Sequence, residues 1–201
     1  MSWDEYFHEL CKAVGKNTKC RSRQIGAILV RDKSIVSTGY NGPPRGVMTC
    51  QDRCLNDGSL MDCLIENGVD PQAAFESGKC PRQIIGFKSG EGLEWCVAGH
   101  AERNCLINAA RNGIETRDTI MYMDCGIPCS PCLVEILNAG VKAIVVTKVE
   151  YYDVSAEYLM MSSNLKFRVF GDRQFRNYQG TTFTERSIPQ WHRVNEQPLT
   201  K

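Results

Sequence analysis

The sequence has no surplus of charge of either sign, no apolar run long enough to cross a membrane, no internal repeat and no low-complexity segment. Lys+Arg number 24 against 23 Asp+Glu in 201 residues, a net charge of +1. Proteins that track long nucleic acid neutralise rows of phosphates and carry a basic excess. The balance here argues against that design and towards a small ligand. What imbalance exists lies late: from Leu165 onward there are seven Lys/Arg and three Asp/Glu, read as a solvated tail. No apolar stretch reaches the ~18 residues of a membrane helix. Met1–Gly15 is polar and amphipathic, unlike the apolar centre of a secretory signal. These absences predict a cytoplasmic protein, in the host's cytoplasm if the chain is viral.

Cysteine, by contrast, is abundant, with eleven residues. An odd number in a reducing compartment points to metal ligands and buried thiols, not to a disulfide framework.

Along the chain, Ser2 followed by Glu5 predicts a capped amphipathic helix running to about Val14. Gln24–Val30 and Ser34–Tyr40 flank a polar turn and predict a β-hairpin. The pattern then breaks. The segment 43–95 is rich in Gly, Pro and Asp and reads as a cysteine-rich insertion, with a short helix over Pro71–Ser77. Regular alternation resumes with a helix over His100–Asn112, a strand over Thr119–Met123, and a helix over Cys129–Asn138. A strand over Val141–Thr147, a helix over Val154–Met161 and a strand over Lys166–Phe170 complete it. A hairpin followed by αβαβαβ predicts an α/β fold with a mixed, mostly parallel five-stranded sheet and helices on both faces. One domain is expected over residues 1–171, with an irregular C-terminal extension over 172–201.

Two short motifs carry chemistry. His100-Ala101-Glu102 opens one predicted helix, and Pro128-Cys129-Ser130-Pro131-Cys132 opens another. Cys129 and Cys132 are three residues apart, so one helical turn sets both sulfurs on one side. Two thiolates and an imidazole are ligands that tetrahedral zinc prefers, and three protein ligands leave a fourth position open, as in catalytic sites. Helix N-termini favour thiolate over thiol. A water in the open position has its pKa lowered to about 7. Glu102 stands beside that position as a proton shuttle. This His-x-Glu and Pro-Cys-x-x-Cys arrangement is the signature of zinc deaminases. Alone, each motif is weak; in this order, each at a helix start after a hairpin, they are specific. The competing reading is a structural zinc knuckle in which Glu102 merely caps a helix.

Arg23–Val30 (RQIGAILV), Thr38–Gly46 (TGYNGPPRG), His100–Asn104 (HAERN) and Pro128–Cys132 (PCSPC) together resemble the cytidine deaminase superfamily and, within it, the deoxycytidylate (dCMP) deaminases. The resemblance covers about two thirds of the chain, most of residues 18–147. It implies a three-layer α/β/α sandwich and hydrolysis of dCMP to dUMP and ammonia, the supply of dUMP for thymidylate synthesis. It implies a zinc cofactor, dCTP and TTP as effectors (with Mg2+ accompanying a triphosphate), and a homo-oligomer, often a hexamer. Asn41 would contact the deoxyribose, while Tyr152 and Arg23 would serve the substrate. Gly42 and Arg45 resemble an effector loop, with Asn108 and Arg111 as further candidates. At Asn108 some regulated relatives carry an aromatic residue, a departure that counts against the same regulation here.

The resemblance extends to a second, structural zinc. Lys19-Cys20-Arg21, Thr49-Cys50, Lys79-Cys80-Pro81 and Trp95-Cys96 after Ser89-Gly90-Glu91 suggest Cys20, Cys50, Cys80 and Cys96 as its ligands. Cys54 and Cys63 are alternatives, and Cys11, Cys105 and Cys125 read as buried thiols. An insertion poor in large apolar side chains gains from a metal clip what burial alone does not supply. Alternative activities are deamination of a modified cytosine nucleotide, of a riboflavin precursor, or of a base in tRNA or single-stranded nucleic acid. A non-catalytic zinc module is the alternative of another class, and the intact Glu102 weighs against it.

Overall fold

The computed structural model describes residues 1–189. The first helix, α1 (Trp3–Gly15), starts with a reciprocal capping box: Glu5 N–H donates to Ser2 Oγ at 3.2 Å, and Ser2 N–H donates to Glu5 Oε2 at 2.6 Å. Strands β1 (Gly26–Arg31) and β2 (Ser34–Tyr40) form the expected antiparallel hairpin.

The insertion is more regular than its composition suggests. It folds into α2 (Cys50–Asn56), α3 (Gly58–Glu66), α4 (Pro71–Ser77) and α5 (Pro81–Ile85), then a 3-10 turn over Leu93–Trp95. Only α4 was legible as a helix in the sequence. The others are too short for a clear 3.6-residue period, yet Thr49 and Asp57 cap α2 and α3, as Asp70 does α4, each through its side chain. The insertion also has a small core: Cys54, Leu60, Leu64 and Ala74 are buried, with Phe75 and Trp95 packed against them. Burial therefore contributes to its order.

Beyond it lie α6 (Ala101–Arg111), β3 (Ile120–Met123), α7 (Ser130–Asn138), β4 (Ala143–Val146), α8 (Val154–Ser162) and β5 (Lys166–Val169). The sheet has seven strands in the order β2-β1-β3-β4-β5-β6-β7, where β6 is Phe175–Arg176 and β7 is Thr182–Phe183. Sequence predicted five. Two-residue strands leave no alternation to read, so β6 and β7 were assigned to an irregular extension. Phe175 and Ile188 from that extension are buried in the core that α1 shares with the central strands. Residues 190–201 of the extension lie outside the described residues. Strand β1 pairs antiparallel with β2 and β3, while β3, β4 and β5 pair in parallel. Four of the first five strands thus run one way, with β1 reversed.

The central strands are buried on both faces, and their side chains alternate between two cores. Ala27, Leu29, Met121 and Ile144 face α6, α7 and α8. Ile28, Val30, Tyr122 and Val145 face α1 and the C-terminal segment, where Phe7, Cys11 and Phe175 cover them. Three layers result. Helix α6 lies hard against β2: a Cβ on Gly39 would come within 2.2 Å of the Cys105 backbone nitrogen. Across the other face, Arg168 on β5 donates to Asp4 on α1 at 2.5 and 2.7 Å, and Asp4 also accepts from Gly171 N–H at 2.8 Å. The insertion's two ends are fastened by a backbone bridge: Gly42 N–H donates to Gly99 at 3.0 Å, and Gly99 N–H to Gly42 at 2.8 Å.

Candidate active site

The bridge at Gly99 delivers the chain to His100, which is the N-cap of α6. Cys129 is the N-cap of α7, and Pro131 in its first turn presets the backbone that brings Cys132 round. Asp153 steadies this start: its carboxylate accepts from Ser130 N–H at 3.1 Å and from Ala156 N–H at 2.7 Å, tying α7 to α8. Sequence reading missed Asp153, although a residue of cap type just before a helix was the available signal.

His100 Nδ1 lies 3.4 Å from Cys129 Sγ and 3.3 Å from Cys132 Sγ. Among the described residues, these three form the one group of potential ligands whose donor atoms all lie within 4.8 Å of one another. Tetrahedral zinc with bonds of about 2.0–2.3 Å sets its donors roughly 3.6 Å apart. The spacing and the donor chemistry therefore fit zinc, with one position left for a further ligand. The hydrogen bond from the Cys132 thiol, joined by that of His100, holds the Cys129 thiol well below the ordinary thiol range and so favours its thiolate form. The same bond, with burial, holds the Cys132 proton on. The Cys129 contact also raises His100. One negative sulfur beside a proton-rich pair is a site in which a cation can displace protons.

Glu102 sits in the first turn of α6 and is only 5% exposed. Burial raises its pKa, which keeps the carboxyl ready to carry a proton. Cys125 is half-buried with its Sγ 4.0 Å from Glu102 Oε1, and desolvation pushes the pKa of its thiol well up. Cys125 is thus half-buried where a buried thiol was expected, and it is the neighbour of the acid, which no spacing in the sequence reveals.

A cavity of about 550 Å³ opens over this group and is lined by His100, Glu102, Cys129 and Cys125 among others. That volume lies within the range of small-molecule sites. Arg23, Asn41 and Tyr152 line it too. Asn41, however, is buried, and both ends of its amide are engaged: Nδ2 donates to the Arg23 carbonyl at 2.9 Å, and Oδ1 accepts from Ile25 N–H at 2.9 Å. Its evident work is to hold the segment before β1, with remaining hydrogen-bonding capacity towards the cavity.

The four effector candidates lie outside the cavity lining. Asn108 Nδ2 donates to the Thr38 carbonyl at 2.8 Å, as Asn104 Nδ2 does to Tyr40, so both stitch α6 onto the edge strand β2. Asn108 thus has a structural role in joining α6 to β2. Gly42 is spent in the bridge to Gly99, while Arg45 and Arg111 are exposed.

Cys20, Cys50, Cys80 and Cys96 all line the same cavity. They do not draw within 4.8 Å of one another as the first group does. The four come from separate segments, whereas the first set rides on two helix starts. The Cys50 thiol is pushed up to about 11 by burial and then by the nearness of Cys96, Cys80 and Cys20. All eleven cysteines are free thiols. No helix among the described residues is long and apolar enough to cross a membrane.

Comparison with known proteins agrees with this geometry. Residues 1–148 match the family model for the cytidine and deoxycytidylate deaminase zinc-binding region. A deoxycytidylate deaminase of Schizosaccharomyces pombe is 30% identical over 169 residues, covering 84% of this chain and 44% of its own length. That of Saccharomyces cerevisiae is 27% identical over 169 residues, 45% of its length, so the chain spans less than half of these two relatives. The deoxycytidylate deaminase of Enterobacteria phage T4 is 30% identical over 150 residues, 68% of this chain and 73% of its own. Among solved structures, a dCMP deaminase from cyanophage S-TIM5, in complex with dCMP and dUMP, superposes with a TM-score of 0.54 at 19% identity. It covers 82% of this chain and 94% of its own, and speaks for the fold. From the matched region and its His100, Cys129 and Cys132 donor set, the chain belongs to the cytidine and deoxycytidylate deaminase family.

Proposed function

We propose that the protein hydrolyses dCMP to dUMP and ammonia, with His100, Cys129 and Cys132 holding zinc and Glu102 moving the protons. The observation that carries this reading is the convergence of three donor atoms within 4.8 Å beside a buried carboxyl. Zinc held there would supply Lewis-acid activation of a water. Glu102 takes a proton from the attacking water and gives it to the ring nitrogen of the cytosine. The water oxygen bonds to the carbon that bears the exocyclic amine, and the carbon–nitrogen bond then breaks. Glu102 passes the second proton to the departing amine, so that dCMP and water yield dUMP and ammonia. Burial of the carboxyl suits it to both directions, since proton transfer is fastest for a group whose pKa approaches the working pH.

The choice of dCMP rests on the relatives named as deoxycytidylate deaminases and on a cavity of mononucleotide scale. Absorbance assays with dCMP, cytidine, dCTP and a short single-stranded oligonucleotide side by side test it. Turnover of dCMP above the rest is expected. Turnover of the oligonucleotide without dCMP would replace this reading with nucleic-acid deamination.

We also propose that Cys20, Cys50, Cys80 and Cys96 clip the insertion to the domain through a second zinc. Their common cavity and the influence of the other three on Cys50 support it. Binding requires the four sulfurs to close in on the metal.

A further inference from the structure

We propose that the insertion forms part of the substrate's phosphate clamp, with Lys88 and Ser89 acting together with Arg23. The inference rests on the dCMP reading and adds a specificity device to it.

Three successive residues before β1 bond to the insertion through side chains. Arg21 bonds to Gln51, Ser22 Oγ accepts from Gln83 at 3.4 Å, and Arg23 Nη2 donates to Ser89 Oγ at 2.9 Å. The Arg23–Ser89 contact sits in the cavity lining, with Lys88 beside it. From the third side comes Tyr152, whose hydroxyl lies 3.4 Å from where a Cβ on Gly90 would stand. A guanidinium and two hydroxyls therefore meet on the cavity lining from three separate segments, and Lys88, next to Ser89 in the chain, lines the same cavity.

The charge there is uncompensated. Lys148 meets Glu150 at 2.5 Å, but among the described residues no carboxylate lies within 4 Å of the charged ends of Arg21, Arg23, Arg82 or Lys88, which share that cavity. In a chain whose net charge is only +1, such a cluster is a local concentration of positive potential. The nearby carboxylate of Glu91 is turned back on its own loop, where it accepts from Lys88 N–H at 2.8 Å. Arg82 Nε donates to the Glu91 carbonyl at 2.8 Å and holds the same turn. Gly90 has φ of 90° and Gly92 of 60°, so the loop depends on residues free of the left-handed penalty. The turn is shaped before any ligand arrives, which lowers the cost of fixing an anion. A phosphate with its dense acceptor oxygens suits this set, whereas a nucleoside leaves the charges unanswered.

The test compares Lys88→Gln and Ser89→Ala with wild type, using dCMP and deoxycytidine as paired substrates. For Lys88→Gln, KM for dCMP should rise about tenfold or more with little change in kcat, and the preference for dCMP over deoxycytidine should fall by a similar factor. Ser89→Ala should move both in the same direction by less. Lys88→Arg, which keeps the charge, should recover most of the loss. Calorimetric binding of dUMP against deoxyuridine gives the same comparison without turnover, and unchanged melting temperatures show that the variants are folded. Unchanged KM and unchanged dUMP affinity in both Lys88→Gln and Ser89→Ala would overturn the clamp while leaving dCMP deamination standing. Absence of dCMP turnover in the wild type would sink the underlying reading instead.

Discussion

His100 Nδ1 and Cys132 Sγ stand 3.3 Å apart although 32 residues separate them. One directly follows the bridge that closes the insertion, and the other completes the first turn of α7. Replacing Cys132 by Ser keeps the size but removes a soft ligand. Zinc per protomer, measured by atomic emission after dialysis, should fall by about one equivalent, with deamination abolished. The thermal midpoint should fall as well, because a metal bound only to the native state stabilises it. A variant that retains full zinc and full activity would remove Cys132 from the ligand set.

Glu102 is not part of the donor group, so Glu102→Gln should keep its zinc. Activity should nevertheless drop by about 10²–10⁴, the usual weight of general acid–base catalysis. Turnover close to wild type would refute the shuttle.

The Asp4–Arg168 pair makes stability depend on acid. Burial by itself would raise the Asp4 carboxyl, but the Arg168 hydrogen bond, the Gly171 N–H and the guanidinium charge outweigh it and hold the pKa below its ordinary 3.8. A depressed carboxyl stabilises the fold above the unfolded-state value, and that contribution disappears as pH falls through the folded-state value. Asp4→Asn should therefore cost about 3 kcal/mol at pH 7, since Arg168 keeps a buried charge without its partner. The gap from wild type should shrink below pH 3.8. Melting curves at both pH values decide this; a gap that persists in acid would mean the pair stabilises through packing alone.

Cys80→Ser probes the proposed second zinc. The zinc-to-protomer ratio should fall from near two to near one, and melting should drop more than kcat. A ratio near one in the wild type would dismiss the second site.

The group of His100, Glu102, Cys129 and Cys132 could be read from sequence because its chemistry is local. His100 with Glu102, and Cys129 with Cys132, are each set by one turn of helix, and only their meeting requires the fold. Asn41 shows the opposite case. The resemblance implied a ligand contact for it; its amide partners, Arg23 O and Ile25 N, lie 18 and 16 residues away and belong to the structure alone. Three of the insertion's four helices, α2, α3 and α5, escaped notice because five to nine residues give too little periodicity, and composition then suggested a loop. Strands β6 and β7 were invisible for the same reason, each having two residues. The Arg23–Ser89 contact joins residues 66 apart and could not be anticipated from either neighbourhood.

The paired hydrogen bonds between Gly42 and Gly99 make the insertion a loop whose neck is shut independently of what it contains. Loop-closure entropy grows slowly, by about 0.6 kcal/mol for each doubling of length. Segments of quite different size can therefore be exchanged between those two glycines while His100 keeps its place at the head of α6. Such exchanges would reshape the wall of the cavity and leave the His100, Cys129 and Cys132 donor set as it was.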